Sequence, residues 1–170
     1  MKFSIGVEYA LHCLQYMINV PEGKATGIKD LAAFQGVSET YLSKAFTKLK
    51  KSGIVKSVPG VNGGYELLRS PEDISFWDVI EAIEGEEPIF QCAEIRQNEI
   101  LLDKNNLPDT HTKCPCLIKV VMLEAEDQMK QFLKQKTLKW LYDQVDKKIP
   151  EEHTRATIEW FNNPKSRDKL

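Results

Sequence analysis

Nowhere in this sequence do as many as roughly eighteen apolar residues run together, so no segment has the makings of a membrane-spanning helix. A secretory leader is not expected either, because Glu8 and His12 interrupt the apolar stretch between Met1 and Val20. We therefore expect a cytoplasmic protein with no membrane partner. Cysteine is scarce, four in 170 residues, which is too few for a secreted disulfide framework. Internal repeats and low-complexity tracts are missing, and an excess of charge is missing too, since the formal net charge is only -2. A composition that is 42% hydrophobic and 28% charged suits an ordinary globular chain able to bury its own core.

That near-neutral total hides a local asymmetry. From Ser38 to Val58 there are five lysines, Lys44, Lys48, Lys50, Lys51 and Lys56, against the single acid Glu39, giving +4 there and -6 elsewhere. Phosphate neutralisation depends on local lysine and arginine, so the segment rather than the whole chain carries the argument.

Periodicity around it is helical. Phe3 to Val20 spreads apolar residues over a broad face and stops at Pro21 and Gly23, and Ile28 to Gln35 gives a short second helix ended by Gly36. Ser38 is a suitable N-cap for a third helix to Ser52, with Leu42, Ala45, Phe46 and Leu49 inside and hydroxyls and lysines outside. Two short strands follow, Ile54 to Val58 and Tyr65 to Arg69, joined by the glycine-rich Pro59 to Gly64. Ser75 to Asp78 resembles a capping box opening a helix to Glu84. Glu86 to Lys113 lacks a long period, as functional or irregular loops do. From Pro115 to about Asp146 an apolar stripe steps by three or four residues, predicting one continuous helix ~45 Å long that needs a partner helix to cover it. A short amphipathic helix with Ile158, Trp160 and Phe161 should follow Pro150, and Asn162 to Leu170 should fray.

The expected architecture is thus mainly α with a small β-hairpin wing: a winged helix-turn-helix in 1–85, a cysteine-containing sensor loop in 86–115, a dimerisation helix in 116–146 and a C-terminal extension in 147–170. Two helices joined by a tight glycine turn place the second in the major groove. Ser38, Thr40, Tyr41 and Ser43 offer hydroxyls to bases or phosphates, Lys44 and Lys48 add charge, and Lys56, Asn62 and Gly63 place the wing beside a backbone. A helix with a lysine-rich wet face is usually only a solvated helix. The tight turn, hydroxyl-rich helix start, local charge and glycine-tipped hairpin in this order favour nucleic acid.

The runs Gly36-Val37-Ser38 with Tyr41-Leu42, Leu49 through Val55, Ser57 through Gly60, Gly63-Gly64-Tyr65 and Val79 through Gly85 resemble the Rrf2 family of winged-helix regulators, over about residues 1–145. The resemblance implies a bacterial transcription factor, a repressor in expectation, that reads a palindromic operator in double-stranded DNA as a homodimer. It implies DNA contacts at Ser38, Thr40 and Tyr41. Two departures stand out: Pro59 and Glu8 occupy places where many relatives are basic.

In one branch of that family three loop cysteines hold an iron–sulfur cluster, which here would draw on Cys92, Cys114 and Cys116, with His111 as a fourth candidate. Their wide spacing departs from the family's compact pattern. A second reading makes Cys92, or the Cys114–Cys116 pair, a redox switch, because a thiolate near a helix N-terminus is stabilised. A third leaves Cys92 a small apolar residue beside Phe90 and the others bystanders. The signal is then redox, iron–sulfur or a small molecule, and the cofactor a cluster or none. Cys13 reads as a core thiol, and His12 and His153 receive no role. Two competing classes are a winged-helix protein-interaction module without DNA binding and a thiol redox enzyme; the second lacks a βαβ pattern or a His–acid partner near Cys114 and Cys116, so no enzyme is expected.

Overall fold

A computed structural model describes residues 2–61 and 63–162. The elements are α1 (Ile5–Met17), α2 (Ile28–Gln35), α3 (Glu39–Lys51), β1 (Val55–Val58), β2 (Gly64–Leu67), α4 (Phe76–Glu84), α5 (Asp109–Thr112), α6 (Leu117–Lys134), α7 (Leu138–Asp146) and α8 (Glu151–Asn162), with short 3-10 turns at Pro71–Asp73 and Ile95–Asn98. The expected class holds: helices and one antiparallel hairpin. The chain divides into two compact units, one made of Lys2–Gly85 with the chain from Leu133 onward, the other of Glu86–Phe132.

In the first unit the turn between α2 and α3 is set by backbone chemistry. Gly36 takes a left-handed conformation (φ 70°, ψ 37°) that would cost an L side chain about 1–2 kcal/mol, and its N–H reaches the carbonyls of Ala32 and Ala33. Val37 N–H closes on the Ala32 carbonyl at 3.0 Å, and two residues past Gly36 the Ser38 hydroxyl accepts the Tyr41 N–H, opening α3. Leu42, Ala45, Phe46 and Leu49 of α3 are buried with Ala10, Cys13 and Leu14 of α1 and Val79, Ile80 and Ile83 of α4. At about 1.5–3 kcal/mol for each large apolar side chain removed from water, this interior is what holds the polar face of α3 outward. The Ser75 capping box expected at the start of α4 is formed, with Ser75 and Asp78 each satisfying the other's backbone N–H.

The hairpin pairs Val55 with Leu67, Ser57 with Tyr65 and Val58 with Gly64. Tyr65 also exchanges both backbone hydrogen bonds with Thr26 (2.8 and 2.9 Å), so Thr26 acts as a one-residue third strand. The contact is close: a Cβ on Gly64 would lie 2.3 Å from the Thr26 carbonyl oxygen. The Tyr65 ring meets that of Phe46 of α3, with centroids 5.0 Å apart.

One expectation is corrected. The helix predicted to run unbroken to Asp146 is two helices, with α6 ending at Lys134 and α7 beginning at Leu138. The backbone between them pairs with the entrance of α4 instead: Phe76 N–H donates to the Lys136 carbonyl (2.7 Å), Leu138 N–H donates to the Ile74 carbonyl (2.9 Å), and the Thr137 hydroxyl caps α7 by accepting the Trp140 N–H. Past Pro150, α8 forms as expected and packs Phe161 against Phe34 and Tyr16. Of Asn162 to Leu170, where fraying is expected, Asn162 is the last residue of α8, and 163–170 lie outside the described residues.

In the second unit, Leu117, Ile118 and Val121 of α6 are 78%, 66% and 62% exposed, while Glu126 is buried. Glu126 bonds Lys130 at 2.8 Å and accepts the Ile89 N–H at 3.1 Å, which pins the incoming loop to the helix. Lys130 and these backbone N–H groups hold the Glu126 carboxyl below the usual range.

Candidate nucleic-acid interface and thiol pair

The sequence-predicted readout residues share one exposed face of α3. Ser38, Thr40, Tyr41, Lys44 and Lys48 are exposed and Ser43 half-buried. They differ in how free they are. The Ser38 hydroxyl oxygen accepts the Tyr41 N–H at 3.3 Å, capping the helix. The Tyr41 ring packs edge-on against Tyr9 at 5.6 Å, so its position is fixed while the ring remains 38% exposed. Lys48 donates to the Ile83 carbonyl at the end of α4, where the negative end of that helix's dipole attracts it. Thr47, a neighbour that sequence reasoning left aside, turns its hydroxyl back to the Ser43 carbonyl.

The wing is less cationic than its sequence suggested. Lys56 pairs across the strands with Glu66 at 2.9 Å, so its charge is locally matched. Gly63 donates to the Gly60 carbonyl at 3.0 Å, and a Cβ there would meet the Val58 carbonyl oxygen at 2.3 Å, so the tip is closed by main chain. Asn62, predicted to contact DNA, lies outside the described residues. Lys44, Lys50 and Lys51 remain exposed along α3, leaving the positive charge on the helix rather than the hairpin.

The cysteines separate. Cys13 is fully buried in α1, and burial pushes its thiol up to about 12. In the second unit none of the three cysteines is in a disulfide: Cys92 and Cys116 are half-buried and Cys114 is exposed. Cys116 immediately precedes α6, and its sulfur accepts from the backbone N–H groups of Lys119 and Ile118, which hold the thiol below its ordinary value. Cys92 and the Arg96 guanidinium pull it further in the same direction. Arg96 is itself fixed by Glu94 at 2.8 Å and by the carbonyls of Thr110 and Cys114 at 2.9 and 2.6 Å. Sequence reasoning named the thiols but missed Arg96, whose recruitment depends on folding of the loop. Among the described residues no three His, Cys, Asp or Glu side chains converge as a metal ion requires. The loop as folded does not fit a three-thiolate cluster.

Comparison with known proteins adds the following. Residues 3–144 match the Rrf2 family, described as an iron-dependent transcriptional regulator. A putative HTH-type transcriptional regulator YffB of Lactococcus lactis is 40% identical over 100 residues, covering 59% of this chain and 64% of that one. The HTH-type transcriptional regulator NsrR of Halalkalibacterium halodurans is 27% identical over 146 residues, 86% of this chain and 93% of that one. Among solved structures, the global cysteine regulator CymR of B. subtilis is similar with TM-score 0.61 at 24% identity, over 84% of this chain and 97% of that one. T. potens IscR is similar with TM-score 0.63 at 24% identity, over 88% and 92%.

Proposed function

Because this chain belongs to the Rrf2 family of transcriptional regulators, it is a DNA-binding regulator, and we propose that it acts as a homodimer on a palindromic operator. The supporting observation is the pairing of two surfaces in one chain: a hydroxyl- and lysine-bearing readout helix, and an α6 that exposes Leu117, Ile118 and Val121. An exposed apolar stripe on a helix is stable in water only when something covers it, and a second copy of the same stripe is the self-complementary solution. Two α3 helices then address half-sites one helical turn apart, about 34–36 Å, which is the origin of the palindrome.

In this reading Ser38, Thr40, Tyr41 and Ser43 face base edges and nearby phosphates, and Lys44 supplies the main attraction with Lys50 and Lys51 behind it. Lys48 and Lys56 serve chiefly their intramolecular partners. The protein works in the cytoplasm, where the genome is. Occupancy of an operator most simply represses transcription, and the 86–116 loop carries the signal. The family is one of regulators, and no helix among the described residues is long and apolar enough to cross a bilayer.

The test is binding of purified protein to its own upstream DNA against a scrambled duplex over a range of salt. A specific complex with two chains per site, whose log affinity falls steeply with log salt, supports the proposal. Salt-insensitive or sequence-blind binding, or one chain per site, overturns it.

A further inference from the structure

The first unit holds a small cavity that DNA readout leaves unused. Helices α1, α7 and α8 surround 180 Å³ of open space, which Gln15 lines from the α1 side, Asp146 from α7 and His153 from α8. We propose that this cavity binds a small organic ammonium compound that also carries an amide-like donor and acceptor, with Asp146 recognising the first group and Gln15 the second.

Gln15 carries the inference. It is only 8% exposed, yet among the described residues nothing hydrogen-bonds either end of its side-chain amide. Ser75 and Glu126, also buried, both have partners. An unpaired buried amide destabilises a fold, and native proteins rarely keep one without a use for it. A molecule seated in the cavity supplies both missing partners.

The other walls select that molecule. Counting histidine as neutral, Asp146 is the one charged side chain lining the cavity, so a cation is favoured there over an anion. Its Oδ1 accepts the Thr154 hydroxyl at 3.1 Å, and its Oδ2 has no partner among the described residues. Val145 and Ile149 add apolar surface, and a mainly apolar wall with a few placed polar groups is the usual make-up of a ligand site. A cavity of about 150 Å³ takes up benzene, so this one suits roughly six to nine non-hydrogen atoms. Asn19 donates to the Tyr142 oxygen at 2.9 Å, tying α1 to α7 before anything binds. The α8 wall lies past residue 144, where the family match ends, so the site depends on the C-terminal extension. Because α1 also carries Tyr9, which fixes Tyr41, an occupant acts on the readout helix through α1. That consequence rests on the proposed operator binding; the site itself does not.

The probe is valinamide, whose ammonium, carboxamide and isopropyl groups match Asp146, Gln15 and the Val145–Ile149 wall. Calorimetry and saturation-transfer NMR on the full chain at neutral pH should show valinamide binding below about 10 mM. The same molecule without its amine, 3-methylbutanamide, should bind about tenfold more weakly or worse. Asp146→Asn keeps an oxygen for Thr154 and should lose valinamide affinity by about the same factor. Gln15→Met removes the amide at similar length, and it should abolish binding while leaving the urea midpoint at or above the wild-type value. Valinamide failing to bind, so that water alone fills the cavity, overturns the proposal. So does equal binding of the amine-free analogue, unchanged affinity in Asp146→Asn, or a midpoint lowered by Gln15→Met. No DNA is present in these measurements, so failure here and failure of operator binding are read separately.

Discussion

The Lys48 ammonium, on the readout helix, donates to the main-chain carbonyl of Ile83 at the end of α4. A lysine that sequence reasoning assigns to DNA therefore already has a partner. Lys44, one turn earlier on the same face, is exposed. Lys44→Ala is expected to weaken binding to every duplex and to lower the slope of log affinity against log salt by about 0.9, the value of one phosphate contact. Lys48→Ala should leave the slope nearly intact and cost about 1 kcal/mol of stability. Salt titrations and urea melts of the two variants check this; equal slopes lost from both would refute the division of labour.

Tyr41 is fixed against Tyr9, so its outward edge is presented in one place. Tyr41→Ala should reduce discrimination between operator variants by about 1–3 kcal/mol at one base pair while leaving affinity for random DNA nearly unchanged. Competition assays with single-base operator substitutions would show it.

Gly64 has no room for a side chain, with the Thr26 carbonyl oxygen 2.3 Å from where a Cβ would sit. Gly64→Ala is expected to lose about 2 kcal/mol or more, because the Thr26–Tyr65 hydrogen bonds must open to admit the methyl group. Urea denaturation gives the stability. Hydrogen exchange should locate the loss at the Thr26 and Tyr65 amides, and an unchanged midpoint would mean that the contact relaxes freely.

Ile118 is 66% exposed and Val121 62% on α6. Ile118→Glu or Val121→Glu should weaken self-association at least tenfold, since a buried apolar side chain is worth about 1.5–3 kcal/mol and a buried unpaired charge costs more. Sedimentation equilibrium measures this directly, and dimers as tight as wild type would move the interface elsewhere.

Cys13 titrates far above an ordinary thiol because burial disfavours its thiolate, its value rising from 9.0 to about 12. The sign follows: a group raised in the folded state contributes stability fully present below its unfolded value and lost as pH climbs through the folded one. The stability difference between wild type and Cys13→Ala should accordingly shrink from about pH 9 upward, and iodoacetamide should spare Cys13 in the native protein. Urea melts between pH 8 and 11, roughly the accessible part of that window, test the first expectation.

Most of the first unit was legible because its signals are local. Gly36 and Ser38 announce the turn and cap, and Ser75 with Asp78 announces the capping box. The break after Lys134 was not read. The apolar stripe stays in phase across it, and what diverts the backbone is pairing of residues 136–138 with 74–76, 60 to 64 positions earlier in the chain. Thr137 was the available clue, a hydroxyl placed to cap Leu138–Asp146. Lys56 misled for a similar reason: its sequence neighbours are uncharged, while its cross-strand partner Glu66 comes from the register.

The fastening of the hairpin at Thr26 is made of amide and carbonyl groups, with the requirement for glycine confined to its rim. A clasp of that kind is indifferent to which side chains the outer surface displays. New binding preferences can therefore be written at Thr40 or Tyr41 without retuning the scaffold that presents them, a freedom that a side-chain-built clasp would withhold.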